Sequence, residues 1–249
     1  HEDIKDNMWI NEGEIPNNKI DDDNNGYVDD IYGWDFYNNK PNGWDDDYHG
    51  THCAGTIGAK GNNNKGVSGV MWNVKLMSLK FISNKGWGYT SDAILSQKYA
   101  TKMGAHITSN SWGGGGNSKA LFEAINEFKL KNNGVFVAAA GNEKKDNDKT
   151  PMYPCNYNLN NIICVSATTK NNELASFSNY GTKSVHIGAP GSGIYSTFPK
   201  NDYGYLSGTS MATPHVAGAL GLLKSYNNKL GYNEFNYILR DSVDKLNIK

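Results

Sequence analysis

From residue 49 onward, short apolar runs alternate with longer segments of helical periodicity, and this alternation constrains the fold more than any other feature. The runs 74–79, 106–110, 135–139 and 161–167 have the length of strands. Between them, 90–103 carries Leu95, Tyr99 and Met103 at four-residue spacing, which predicts a helix with these three on one face. Gly104 is its stop signal. Ser118 caps a second helix, whose Leu121, Ala124, Ile125 and Phe128 form one apolar face. Residues 50–59 are small and read as a buried helix, and 232–245 read as a closing helix. Strands separated by helices of this length pair in parallel through right-handed crossovers. The expected architecture is therefore α/β, a mostly parallel central sheet with helices on both faces. The 249 residues show no repeat, linker or domain boundary and read as a single domain over 1–249.

A formal net charge of −1 gives no electrostatic basis for binding nucleic acid or a membrane surface. No apolar run approaches the roughly 18 residues of a membrane span. No leader pattern opens the sequence, so it reads as a mature or trimmed piece. Three cysteines, Cys53, Cys155 and Cys164, allow at most one internal pair and form neither a disulfide scaffold nor a zinc site. Cys155 and Cys164 flank a turn and can pair if the geometry allows. Cys53 reads as a free thiol.

Three small-residue stretches carry the parts of an acyl-transfer site. In Gly208-Thr209-Ser210-Met211-Ala212-Thr213-Pro214-His215, Ser210 opens a helix beginning near Met211, close to unpaired N–H groups and positive dipole charge. That placement suits a nucleophile whose attack creates an oxyanion. Pro214 is expected in the first turn, where a missing N–H costs nothing. In His49-Gly50-Thr51-His52-Cys53-Ala54-Gly55-Thr56, His49 stands at a helix start where a base can reach Ser210, and His52 points toward the core one turn on. In Ala138-Ala139-Ala140-Gly141-Asn142-Glu143, the Asn142 amide can donate to a developing oxyanion or simply form a turn. The Ser111–Gly113 segment has glycine where backbone must approach closely, and an exposed edge there can pair with an extended peptide. Trp112 either walls a neighbouring pocket or packs in the core. Finally, Asp21-Asp22-Asp23-Asn24-Asn25-Gly26-Tyr27-Val28-Asp29-Asp30 places oxygen side chains at alternate positions. Asp21, Asp23, Asn25 and Asp29 fit a hard cation such as Ca²⁺, which takes about six to eight oxygens, and Tyr32 at the twelfth position excludes an EF-hand. The alternative is a solvated acidic loop, but like charges this dense need a counter-ion to fold compactly.

GTSMATPHVAG, HGTHCAGT and AAAGNE resemble, in order, the serine, histidine and oxyanion-asparagine blocks of subtilisin-family serine proteases. The likeness runs from His1 nearly to the C-terminus, and Cys53 makes the histidine block similar to the proteinase K form. The abundance of Asn and Lys, as in Gly61-Asn62-Asn63-Asn64-Lys65, is similar to that of malaria-parasite proteins. The resemblance implies a three-layer subtilisin-like fold and peptide-bond hydrolysis through an acyl-enzyme. Ser210 is then the nucleophile, His49 the base and Asn142 the oxyanion donor. Ser111 to Gly113 and Ala139 to Gly141 line the pocket for the residue before the cut, with Met152 at its base. Glu14 joins the acidic loop, and Asp3 and Asn63 supply oxygens to a second calcium loop over 62–69. An inhibitory pro-region that assists folding, a secretory setting, a polypeptide substrate and a monomeric state are also implied. In the family the catalytic Asp precedes a His-Pro-Asp-Leu block, which His1-Glu2-Asp3-Ile4 resembles, so the Asp is expected upstream of residue 1 and this chain alone is expected to be nearly inactive. A competing reading is a catalytically silent binding protein of the same fold. A non-proteolytic serine hydrolase is disfavoured by the lack of a Gly-x-Ser-x-Gly elbow.

Overall fold

The computed structural model describes residues 1–246, and the last three residues of the expected 1–249 domain lie outside them. Four parallel strands form the centre: β4 (Ile107–Asn110), β5 (Val135–Ala139), β6 (Ile162–Thr168) and β7 (Ile187–Pro190), side by side in that order. A second sheet takes the order β2-β1-β3, from β1 (Gly33–Asp35), β2 (Lys40–Pro41) and β3 (Ser78–Lys80), with β1 and β3 parallel and β2 antiparallel. A final antiparallel hairpin joins β8 (Ile194–Phe198) to β9 (Asp202–Leu206). Among the described residues there are five α-helices: α1 (His49–Gly58), α2 (Thr90–Lys102), α3 (Lys119–Asn132), α4 (Thr209–Tyr226) and α5 (Tyr232–Asp241).

The three-layer arrangement follows from side-chain alternation along buried strands. On β5, Val135 and Val137 join Ile163 and Val165 of β6 in a cluster with Val216 and Leu220 of α4 and Phe235 of α5. The intervening Phe136 and Ala138 join Ile162 and Cys164 in a cluster on the opposite face, with Leu121 and Ile125 of α3. One sheet therefore separates α4 and α5 from α3. Ser118 accepts the Leu121 N–H at 3.3 Å, and Leu121, Ala124, Ile125 and Phe128 are buried, as the sequence pattern predicts. Cys155 and Cys164 are disulfide-bonded, with Cα atoms 5.2 Å apart, and Cys53 is free.

Four expectations need correction. Leu95 is 45% exposed, while α2 buries Ala93, Ser96, Gln97, Tyr99 and Ala100. Packing against α3 selects that face over the one that apolar spacing marks. The 74–79 strand is displaced to Ser78–Lys80, because Leu76 makes only an isolated bridge with Met8. The closing helix stops at Asp241. Pro214 lies inside α4, well past the first turn, because the helix already begins at Thr209.

Candidate active site

The small residues of α1 let it pack closely. Gly55 has no room for a Cβ beside Ser196 and Thr197 of β8. Those two hydroxyls bond the carbonyls of His52 at 2.9 Å and Thr51 at 2.8 Å. The other side of α1 runs along α4. Across this packing the Cys53 thiol, one turn beyond His49 on α1, donates to the Ser210 carbonyl on α4 at 3.4 Å. At the start of α1, the Asp45 carboxylate accepts the Thr51 N–H at 2.7 Å and the Thr51 hydroxyl at 2.6 Å. Acid at a helix N-terminus is stabilised by the dipole. Burial holds the His49 imidazole below its usual value, opposed by the carboxylates of Asp45 and Asp47. His52 is fully buried, with Nε2 2.9 Å from the Ile194 carbonyl, so it serves the fold as expected.

The turn after β5 brings Asn142 to the same place. Gly141 has φ +107°, a conformation that glycine adopts without strain, and it turns the chain out of the strand. The Asn142 Oδ1 accepts both the Thr209 N–H at 2.8 Å and the Thr209 hydroxyl at 3.0 Å. Both bonds fix the oxygen end of the amide and leave Nδ2 to donate elsewhere. A Cβ built on Gly208 would lie 3.6 Å from Ser210 N and 3.7 Å from Asn142 Nδ2. The Asn142 amide, with both Oδ1 and Nδ2 3.7 Å from that position, thus lies beside the Ser210 N–H at the head of α4. The Ser210 hydroxyl itself donates to the Ser111 carbonyl at 3.1 Å.

Met152 lies between Gly113 and Gly141. Its Sδ is 3.4 Å from the Cβ position of the first, and its Cε is 3.0 Å from that of the second. The expected pocket residues Gly113, Gly141 and Met152 therefore meet, with Ala139 on the adjoining strand end. A carboxylate stands beside them, the Glu143 Oε2 lying 2.7 Å from the same Gly141 Cβ position. That oxygen accepts a bond from Asn179 Nδ2 at 3.0 Å. Trp112 turns into packing: its ring stands edge-on to Phe81 and Phe136, and its indole N–H bonds Asn110 Oδ1.

In the acidic loop, Glu14, Asp21 and Asp23 each place a carboxylate oxygen within 4.8 Å of the others. An all-oxygen, triply acidic set suits a hard cation. Asn25 and Asp29, expected beside them, bond groups within the loop, as Glu14, Asp21 and Asp23 also do. The Asn25 amide donates to Asp23 and Asp30, and its Oδ1 accepts the Tyr27 N–H. The Asp29 carboxylate accepts the Asn18 and Lys19 N–H groups. Asp3 and Asn63 do meet, with the Asn63 amide donating to Asp3 Oδ1 at 2.6 Å, and Val67 N and Tyr203 OH completing the shell around Asp3 Oδ2.

Sequence reading missed several supporting residues. Thr209 anchors Asn142. Asn179 holds the 140–145 turn, accepting the Glu143 and Lys145 N–H groups and donating to the Ala140 carbonyl. Asp30, fully buried, accepts from Asn11, Asn25 and the Tyr99 hydroxyl. Thr209 adjoins Ser210 in the motif, and its hydroxyl was a readable signal. Asn179 acts on residues distant in sequence and nothing local marks it, whereas Asp30 closes the acidic stretch but its burial depends on Tyr99, far along the chain.

The Subtilase family profile matches residues 1–249. Subtilisin-like protease 1 of Plasmodium falciparum (isolate 3D7) is 38% identical over 262 residues, covering 98% of this chain and 38% of that protein. The chain thus spans well under half the length of that relative. Thermitase of Thermoactinomyces vulgaris is 41% identical over 195 residues, covering 78% of this chain and 67% of that protein. The crystal structure of a cold-adapted subtilisin-like serine proteinase superposes with a TM-score of 0.77 at 33% identity, covering 87% of this chain and 75% of that one. The family profile, these relatives and the shared fold agree: the chain belongs to the subtilase family.

Proposed function

We propose that this chain carries the peptide-hydrolysing centre of a serine endopeptidase. Ser210 is the nucleophile, His49 the general base and then acid, and Asn142 Nδ2 with the Ser210 N–H the oxyanion donors. The observation that carries this reading is the fixed Asn142 amide beside Ser210, whose oxygen end accepts the Thr209 N–H and hydroxyl and whose Nδ2 is thereby left to donate. The Ser210 oxygen attacks the scissile carbonyl carbon, His49 takes its proton, and the carbonyl oxygen becomes an oxyanion. Collapse expels the amine, which receives the proton from His49. Water then attacks the acyl-enzyme by the same route in reverse. Rotation about the Cα–Cβ bond of Ser210 redirects its hydroxyl from the Ser111 carbonyl toward the base. The Asp45 carboxylate is occupied by Thr51, so it is not assigned as the orienting partner of His49.

The backbone of Ser111 to Gly113 and of Ala139 to Gly141 forms the substrate edges, and Met152 closes the pocket between them. The Met152 floor favours a small or apolar residue before the cut, since the Glu143 carboxylate beside Gly141 is engaged by the Asn179 amide. Glu14, Asp21 and Asp23 would hold calcium, with Asp3 and Asn63 at a second site. That ion neutralises carboxylate repulsion and is structural. A polypeptide substrate, an inhibitory pro-region and a secretory setting complete the reading. Among the described residues, no helix is long and apolar enough to cross a membrane. The test is active-site labelling with an organophosphonate, followed by peptide mapping. Adduct on Ser210, lost in Ser210→Ala and slowed in His49→Ala, is the expected result. Labelling at another residue would overturn the assignment.

A further inference from the structure

Inside an α-helix, each carbonyl accepts the N–H four residues on. In α4 the carbonyl of Ser210 faces Pro214, which has no N–H to give. This carbonyl belongs to the proposed nucleophile, and two other elements supply its donors. The Ser111 hydroxyl, from the segment after β4, donates at 2.8 Å. The Cys53 thiol, one turn beyond His49 on α1, donates at 3.4 Å. Burial pushes this thiol up to about 12, so it keeps its proton at neutral pH. A thiol is the weaker donor, so the hydroxyl carries most of the bond. Ser111 also accepts the Ser210 hydroxyl on its own carbonyl. It therefore grips Ser210 at both the backbone and the side chain.

We propose that Ser111 is a positioning residue for Ser210, acting through the helix carbonyl that Pro214 leaves without a backbone partner. The inference rests on the reading of Ser210 as nucleophile. Orienting the Ser210 peptide fixes the direction of its N–H, which the oxyanion uses, and the place of its Cβ, which carries the attacking oxygen. Both matter most in the transition state, where small displacements are costly. A substrate-edge residue thereby sets the geometry of the reacting serine, and Pro214 creates the vacancy that this grip fills.

The test is a double-mutant cycle in the full-length enzyme, comparing wild type, Ser111→Ala, Ser111→Thr, Pro214→Ala and Ser111→Ala/Pro214→Ala. Organophosphonate labelling of Ser210, kcat, KM and the melting curve are measured for each. Ser111→Ala is expected to slow labelling and lower kcat by about tenfold or more, with KM within about twofold. Ser111→Thr, which keeps the hydroxyl, recovers most of the rate. In the Pro214→Ala background, the N–H of the new alanine serves the carbonyl, so removing the Ser111 hydroxyl costs less than about threefold. The proposal is overturned if Ser111→Ala labels at the wild-type rate, if only KM rises, or if the loss is equal in both backgrounds. Failure of the wild-type enzyme to label at Ser210 would instead overturn the nucleophile assignment.

Discussion

Asn142 and His49 show how single side chains are tuned by neighbours that no motif names. Because Thr209 fixes the amide orientation of Asn142, replacing Asn142 by Ala removes a preset donor without disturbing the strand before it. We expect kcat to fall by about 10²–10³, the usual cost of one oxyanion donor, with KM little changed. Steady-state kinetics on a peptide ester and amide check this, and an unchanged kcat would place the oxyanion elsewhere. For His49, burial favours the neutral form, and the carboxylates of Asp45 and Asp47 oppose it. A base must be neutral, so the acid limb of kcat/KM should lie below the ordinary imidazole value of about 6.5. Asp47→Asn removes a charge that stabilises imidazolium, so the limb moves to still lower pH. A shift upward would reverse the proposed electrostatics. Asp45 is the poorer choice for this test, because its carboxylate also holds Thr51 at the start of α1.

Whole elements were legible where one physical signal dominated. The Ser118 cap and the Leu121, Ala124, Ile125 and Phe128 stripe specify α3, and the buried apolar runs specify β5 and β6. The pattern failed on α2, where Tyr99 is buried with polar Ser96 and Gln97 while Leu95 faces water, since partners distant in sequence decide that face. It failed again on Pro214, which the helix tolerates because Ser111 and Cys53 serve the freed carbonyl. In the acidic loop, the repeat of oxygen side chains located the carboxylate cluster, while Asn25 and Asp29 bond groups within the loop. Side chains of that type also bond loop amides, and sequence alone does not say which will. The structure leaves Glu14, Asp21 and Asp23 converging, so calcium should stabilise the fold by mass action. At a free concentration of about 100 times Kd the gain is about 2.7 kcal/mol. Melting curves should therefore shift downward on chelation in the wild type and move much less in Asp21→Asn. An identical shift in that variant would remove this cluster as the site.

At the scale of the molecule, the mixed sheet β2-β1-β3 and the parallel sheet β4-β5-β6-β7 are separate hydrogen-bonded units. The larger one is covered on both faces by apolar clusters that include α3, α4 and α5. The smaller rests on a cluster of Trp34, Phe36 and Tyr99, to which Tyr27 from the acidic loop adds its ring. The loop is tied to α2 by the bond of Tyr99 to buried Asp30 and by Lys102 reaching the Asn25 carbonyl at 2.9 Å. Cooperative opening follows such divisions, because units that share few bonds can part before the whole molecule unfolds. Native-state hydrogen exchange should then resolve two groups of amides. Those of β5 and β6 exchange only through global unfolding. Those of β1, β3 and the second half of α2 exchange faster, through a sub-global opening that calcium opposes. Chelation should accelerate the second group more than the first. Tyr99→Phe, which strips a donor from the buried Asp30 carboxylate, should mimic chelation at a cost of about 1–3 kcal/mol in that opening. Equal acceleration of β5, β6 and β1 on chelation would show that the sheets open as one unit and that the loop stabilises the molecule as a whole.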